Sequence, residues 1–275
     1  MSLISRLHYI FQGTREGGYD GTIMEFEDPE VKKYLVAIIG GEDGITNPDF
    51  GIEGVKGIAG EVTYEQVLAC KKVDFRYNKK IRRFNELEYF KNLSTVKFWS
   101  SSIEEVSLPY MTIGGGAIFS GCTKLRKLTT KYGLKIISAE SMFYDCTSLT
   151  TLDTRGWDLS YINLDYMFCN STSLVSIDLS DFPMYFNWSA FFNCSNLETL
   201  VGKHTETDNV ILFRGNSSAV DFRSNPKINL ATVNAVIRGV ERSYRTLPLF
   251  LPEPVKSQVT EEYKKILESK NWEIM

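Results

Sequence analysis

Through the middle of the chain, apolar positions keep neither the 3.6-residue beat of a surface helix nor the alternation of a long strand; they return as a block. "IFSGCTKLRKLT" begins at Ile118, "MFYDCTSLTTLD" at Met142, "MFCNSTSLVSID" at Met167 and "FFNCSNLETLVG" at Phe191. Aligned on their leucines, the blocks place Leu125, Leu149, Leu174 and Leu197 in one column, at spacings of 24, 25 and 23 residues. Phe119, Phe143, Phe168 and Phe191 form a second column, and Leu128, Leu152, Ile177 and Leu200 a third. "YFKNLSTVKFW" reads as a weaker first copy on Phe90, Leu93 and Val96.

A period in this range predicts a solenoid. The segment L-x-x-L-x-(L/T) is a short strand with alternate residues inward, and the Phe-x-x-Cys segment before it is the return wall of the coil. One coil cannot bury its own apolar side, so stability comes from stacking. Each fully buried apolar side chain contributes about 1.5–3 kcal/mol, enough to offset ordering entropy only when several coils stack. The column before the leucines holds Cys122, Cys146, Ser171 and Cys194. It predicts a ladder of small buried groups whose thiol or hydroxyl contacts neighbouring backbone. A disulfide is the sharper alternative, and only Cys122 and Cys146 stand on adjacent coils.

Within "GWDLSYINLDYMFCNSTSLVSIDLS", Gly156 to Ser180, the order W-D-x-S, then M-F, then S-L-x-x-I-D-L-S, resembles the BspA-like leucine-rich repeat family nearly position for position. Thr154 in place of a leucine, Ser171 in place of the cysteine and Phe182 in place of the tryptophan depart from the family pattern. The resemblance implies an α/β solenoid, an irregular leucine-rich repeat with short parallel strands, a helical N-terminal cap and an α+β C-terminal cap. The organisation expected is an N-terminal arm or anchor (1–25), a degenerate EF-hand-like helical cap (26–80), the repeat solenoid (81–225) and a C-terminal cap (226–275).

The flanks carry helix signals. Asp28 as N-cap with Pro29 behind it opens "EDPEVKKYLVAII", and the capping box Thr63-x-x-Gln66 opens "TYEQVLACKKV". Relatives in the resembled family carry an EF-hand-like loop here. With Gly60 as the loop glycine, the ligand positions fall on Val55, Gly57, Ala59 and Gln66, which lack the carboxylates calcium needs. No metal or other cofactor is expected. After the repeats, Asn229 caps a helix with Val233, Val236, Ile237 and Val240 on one face. A strand-like "RTLPLFLPEPV", a helix from about Glu261 to Lys270 behind Thr260, and "NWEIM" complete the chain.

With 275 residues, 43% of them hydrophobic and 13% aromatic, the chain has material for a sizeable core. A net charge of −3 with scattered Lys and Arg argues against a nucleic-acid partner. No apolar run reaches membrane-spanning length. "MSLISRLHYIFQGTREGG" lacks a secretory h-region, and five cysteines without a CxxC pair fit a reduced interior.

Chemistry that would mark an enzyme is sparse. His8 in the N-terminal arm and His204 in the polar loop "KHTETD" read as solvated surface residues, Glu104 and Glu105 are expected on opposite faces of a strand, and "IGGGAIF" lacks the Lys-Ser/Thr of a phosphate loop. The chain is therefore expected to be a non-enzymatic recognition or adhesion scaffold. Its outward strand row, Lys127, Thr151, Ser176 and Thr199 beside Thr129, Asp153, Asp178 and Val201, is the expected partner-binding surface. Asp153 and Asp178, about 4.8 Å apart, would form a like-charge contact that a cationic partner relieves, or else bond turn amides.

Trp157, Tyr161, Phe182, Tyr185 and Trp188 lie opposite that row and serve either coil packing or glycan contact. The resemblance implies a protein partner and a virion or cell-surface location if the chain is phage-encoded, with the arm as anchor. A bacterial interaction protein, cytoplasmic or surface-attached, is the alternative.

Overall fold

The computed structural model describes residues 23–40, 58–158, 164–180, 188–204, 209–211 and 219–275. Helix α1 (Pro29–Leu35) begins where the sequence predicts: the Asp28 carboxylate accepts the Glu30 N–H at 3.0 Å and Pro29 sits in the first turn. A π-turn, Val36–Gly40, continues it. In α2 (Tyr64–Ala69) the capping box closes in both directions, the Gln66 N–H to Thr63 Oγ1 at 3.3 Å and the Thr63 N–H to Gln66 Oε1 at 2.8 Å.

Gln66 also donates from Nε2 to the Ile39 carbonyl, so the side chain at the closing ligand position of an EF-hand is spent on structure. Gly60 does take the left-handed conformation of a loop glycine, φ +73°. Val55 and Gly57 lie outside the described residues. Helix α2 is shorter than expected, because Lys72–Asp74 leave it to form strand β1.

From β1 onward the chain coils, and three walls repeat. On the first wall β1 pairs in parallel with β3 (Thr95–Lys97), setting Val73 opposite Val96. On the second, β2 (Arg83–Phe84), β4 (Glu105–Leu108) and β6 (Lys127–Thr130) form one parallel sheet, and β8 (Ser176–Asp178) with β9 (Thr199–Val201) form another. On the third, β5 (Thr112–Ile113) pairs with β7 (Lys135–Ile136), which bridges to Asp158. A short antiparallel pair, β10 (Lys203–His204) with β11 (Asn209–Val210), follows the coils.

The expected columns superpose. Leu125, Leu149, Leu174 and Leu197 are all buried, and so are Leu128, Leu152, Ile177 and Leu200. The first two coils sit in a register that Phe90, Leu93 and Val96 do not define. Val106 pairs with Leu128 and Phe84 with Val106, so the true members of the third column are Phe84 and Val106. Val96 instead belongs to the first wall, and Phe90 packs edge-on against Phe84 with centroids 5.5 Å apart.

The phenylalanine column therefore starts at Phe75 and Phe98. Phe75, Phe98, Phe119, Phe143, Phe168 and Phe191 stack with successive centroids 5.8, 5.5, 5.6, 5.5 and 5.7 Å apart and ring planes within 9°. The spacing exceeds the 4.8 Å of a flat sheet because the rings lie tilted in the stack, an offset geometry that aromatic quadrupoles favour.

Two residues after each ring the chain turns through the left-handed region, at Tyr77, Ser100, Gly121, Asp145, Asn170 and Asn193. Asn, Asp and Gly tolerate that conformation best, which accounts for the G, D, N and N of the sequence blocks. At another corner Gly133 has φ +75°, and a Cβ there would lie 2.0 Å from the Gly156 carbonyl oxygen of the next coil.

The small column before the leucines does what its chemistry predicts. Cys122 Sγ donates to the Phe98 carbonyl at 3.1 Å, Cys146 to Phe119 at 3.2 Å, Ser171 Oγ to Phe143 at 2.8 Å and Cys194 to Phe168 at 3.0 Å. Each buried donor reaches the preceding coil and finds its partner in a carbonyl that already accepts one backbone N–H, so no thiol or hydroxyl proton of this column is buried unpaired. All five cysteines are free. Thr154, at a family leucine position, is buried with Oγ1 on the Asp178 carbonyl at 3.0 Å.

Both ends of the array carry one motif, Val73-Asp-Phe-Arg-Tyr-Asn-Lys-Lys-Ile81 and Val220-Asp-Phe-Arg-Ser-Asn-Pro-Lys-Ile228. Asn225 Nδ2 donates to the Phe191 carbonyl at 2.9 Å, the place a cysteine holds in the coils before it. At the front, Asp28 accepts the Arg82 and Arg83 N–H groups at 2.6 and 3.1 Å, tying α1 to the coils.

At the back, α3 (Leu230–Gly239) is capped by Asn229, whose side-chain Oδ1 accepts the Thr232 N–H at 2.8 Å, and Val233, Val236, Ile237 and Val240 are buried. Strands β12 (Val220–Asp221), β13 (Leu247–Phe250) and β14 (Trp272–Ile274) form a parallel sheet. The strand-like "RTLPLFLPEPV" ends at Phe250 and gives way to α4 (Glu253–Lys256). Helix α5 (Glu261–Ser269) follows Thr260, which makes no side-chain cap bond.

Candidate interaction surface

The second wall turns its outer row to solvent. Lys127, Thr129, Thr151, Asp153 and Asp178 are exposed, Ser176 and Thr199 half-buried, and the apolar residue between each flanking pair is buried. Register places Ser176 beside Thr199 and Asp178 beside Val201, the two columns the sequence predicts. Between β6 and β8 the chain is not a regular strand, but the Val175 N–H still reaches the Thr150 carbonyl at 2.9 Å.

The row runs further toward the N-terminus than the sequence reading placed it. Lys127 stands in register with Glu105, and Glu105 with Arg83; Thr129 stands beside Ser107. Ile81-x-x-Phe84 and Ile103-x-x-Val106 carry the spacing that would have revealed these residues. Glu104 and Glu105 do not diverge as their alternation suggested: Arg126 Nη2 lies 2.9 Å from Glu104 Oε2 and 3.3 Å from Glu105 Oε1. Arg82 and Arg83 flank the same two carboxylates at 3.4 and 3.9 Å, and Glu27 joins Arg83 at 2.9 Å. These groups are solvent-accessible, so the network fixes side-chain positions more than it stabilises the fold.

Asp153 corrects the like-charge reading. Its carboxylate holds the Arg155 guanidinium through Nε at 2.9 Å and Nη2 at 2.6 Å and accepts the Arg155 N–H at 3.1 Å. The Arg155 hydrogen bond draws the Asp153 carboxyl down to about 2, so both partners stay charged and no external cation is required. Asp178 accepts the Ser180 N–H at 2.9 Å, the turn-amide role that was the alternative. The same Asp-x-Arg clamp recurs at Asp74 with Arg76 and at Asp221 with Arg223.

The aromatic set sorts differently. Trp157 is buried, its Nε1 donating to Thr130 Oγ1 at 2.9 Å and its ring 6.5 Å from Phe143, so it packs coils and offers no face to a sugar. Tyr161, Phe182 and Tyr185 lie outside the described residues, as does His8. Burial pushes the thiols of Cys70, Cys122 and Cys169 up to about 11 and that of Cys194 to about 12, and raises Cys146 well above the ordinary range. Buried, protonated thiols are poor nucleophiles and poor ligands. Among the described residues no group of three or more His, Cys, Asp or Glu side chains is placed to hold a metal, and no helix is long and apolar enough to cross a membrane.

A parallel coil stack with a polar outer row defines a leucine-rich repeat solenoid. The model of the BspA type leucine-rich repeat region matches residues 70–217 in six copies, more than half of the chain, and the chain belongs to that family. No curated protein matches it. Membership points to a scaffold for protein interaction or adhesion, in a family whose repeats generally serve contact and not catalysis.

Proposed function

We propose that the protein is a non-enzymatic recognition scaffold that engages a protein partner through the outer row of its second wall. The observation that carries this reading is the row itself: Lys127, Thr129, Thr151, Asp153, Ser176, Asp178 and Thr199 flank inward apolar neighbours that are locked in the core, on strands in every coil but that of Thr151 and Asp153. The row starts with Arg83, Glu105 and Lys127 and continues with hydroxyls and carboxylates. Such a surface presents fixed donors and acceptors, which confer register and specificity, to a long polar face. The helices before and the α/β segment after the coils act as caps that keep apolar coil edges from pairing with other chains.

The finer form of this reading is a virion component, a fibre or decoration protein displaying the coils, with residues 1–25 as its anchor. Capture of partners from host-envelope and particle fractions tests both levels. Wild-type chain is compared with a Lys127→Glu, Thr151→Arg variant and with a Tyr132→Ala control, whose change lies off the row. Loss of a captured protein in the row variant alone supports the surface; equal capture by all three contradicts it. Mass spectrometry that finds the chain free in host cytosol and missing from purified particles contradicts the virion form.

A further inference from the structure

On the first wall, hydrogen bonding between the second and third coils begins only at Phe98, whose N–H reaches the Ile118 carbonyl at 3.0 Å. Before that point the coils part. Strand β3 has β1 as its partner on one side, and on the other the chain swings out through Gly114, Gly115 and Gly116. The gap is an open groove of about 410 Å³, within the size range of small-ligand sites.

Its chemistry is one-sided. Arg76 and Lys97 line it, and no Asp or Glu does, in a chain whose net charge is −3. Asp74 holds Arg76 by Nε at 2.9 Å and Nη2 at 2.8 Å, which fixes the guanidinium and leaves Nη1 for a ligand. Trp99, 43% exposed, is among the residues that line the groove, and its ring lies beside Tyr77 with centroids 5.7 Å apart. At Gly114 and Gly115 a Cβ would meet nothing within 4 Å, so this side of the groove is bare backbone with open space beside it.

We propose that this groove binds an acidic carbohydrate, a uronate-, sialate- or sulfate-bearing saccharide, separately from the protein-binding row. A sugar ring lays its apolar C–H face on an indole, its hydroxyls meet the bare backbone, and its acid group pairs with Arg76 and Lys97. Charge complementarity alone would also suit an acidic peptide. The exposed indole and the bare glycine backbone favour a flat, hydroxyl-rich ring. Glycan contact thus moves from Trp157, which is buried, to Trp99.

Isothermal titration of the full-length chain tests this with hexagalacturonate, 3′-sialyllactose and a heparin hexasaccharide, against cellohexaose and hexaglutamate. At least one acidic saccharide binds, and cellohexaose and hexaglutamate bind at least about tenfold more weakly. Trp99→Ala, Lys97→Glu and Gly115→Val each weaken that saccharide by about tenfold or more. Because Trp99 is exposed and a Gly115 side chain enters open space, Trp99→Ala and Gly115→Val keep the wild-type melting temperature. The proposal fails if none of the three acidic saccharides binds, if hexaglutamate or cellohexaose matches the best of them, or if binding survives Trp99→Ala or Gly115→Val. Loss of row-dependent protein capture leaves these results unchanged, so the two sites are judged separately.

Discussion

Replacing Phe143 by Ala removes the middle of the aromatic column. The ring is fully buried, with neighbours 5.6 and 5.5 Å away on its two faces and Trp157 at 6.5 Å. Backbone bonds hold the coils at fixed spacing: the Phe143 N–H to the Met167 carbonyl at 2.8 Å and the Phe119 N–H to the Met142 carbonyl at 3.0 Å. The coils therefore cannot close over the space left. A Phe side chain buries roughly 150–250 Å², worth about 4–6 kcal/mol at ~25 cal/mol/Å² as an upper bound. Partial relaxation brings the expected loss to about 4 kcal/mol, inside the ~3–5 kcal/mol range for such truncations.

Phe143→Leu keeps most of the volume and loses the stacked faces, so it costs about 1–2 kcal/mol. Urea unfolding followed by circular dichroism measures both. A lower m-value in the Ala variant reports that coils on its two sides have begun to unfold separately, as nearest-neighbour coupling requires. An Ala loss below about 1.5 kcal/mol, or equal losses for Ala and Leu, would refute the stacked-column account.

Ser171→Ala removes the Oγ bond to the Phe143 carbonyl and costs about 1 kcal/mol, because the Cys146 N–H still reaches that oxygen at 3.2 Å; Ser171→Cys restores a donor and is nearly neutral, and urea midpoints distinguish them. Burial raises all five thiols, so the folded chain keeps their protons where the unfolded chain, near 9, releases them. That stability is whole below about pH 9 and is lost as pH climbs toward 11–12; midpoints at pH 8, 9.5 and 10.5 fall in order, and native thiols resist a disulfide-exchange reagent at pH 8. Glu86, raised by burial, accepts the Glu27 N–H at 2.8 Å through Oε1 while its buried Oε2 has no hydrogen-bond partner. Glu86→Gln therefore raises the melting temperature at pH 7, and the gain disappears in acid, where Glu86 is itself protonated.

How far the fold was legible depended on how regular each coil is. From Phe119 to Leu200 the aromatic, the small donor and the two leucines keep fixed offsets, so period, register and inward faces could be read directly. The second coil drops a residue, with five positions from Phe98 to Ile103 where later coils have six from ring to leucine. The first uses Ile81 and Phe84 for leucines. Leu93 and Val96, three apart by coincidence, took their place in the alignment, and the row lost Arg83, Glu105 and Ser107 with them.

Helix starts at Asp28, Thr63 and Asn229 were legible because a capping side chain bonds within three residues of itself. The Asp153 charge reading failed because pairing strand positions counts neighbours across coils and overlooks Arg155, two residues along the same chain. The groove at Trp99 was invisible for another reason: it exists only where two coils part, and no local pattern encodes a gap between segments about twenty residues apart.

Register between coils is the claim on which the rest stands, and paired cysteines measure it. Glu105 and Lys127 are directly opposed on adjacent coils, as are Ser176 and Thr199, within the Cα separation a disulfide accepts, while the native thiols are buried. Oxidation of Glu105→Cys/Lys127→Cys and of Ser176→Cys/Thr199→Cys should give near-complete intrachain bridges, and the offset pair Ser176→Cys/Val201→Cys far less. Equal bridging of opposed and offset pairs, or none in either opposed pair, would contradict the stacked coils.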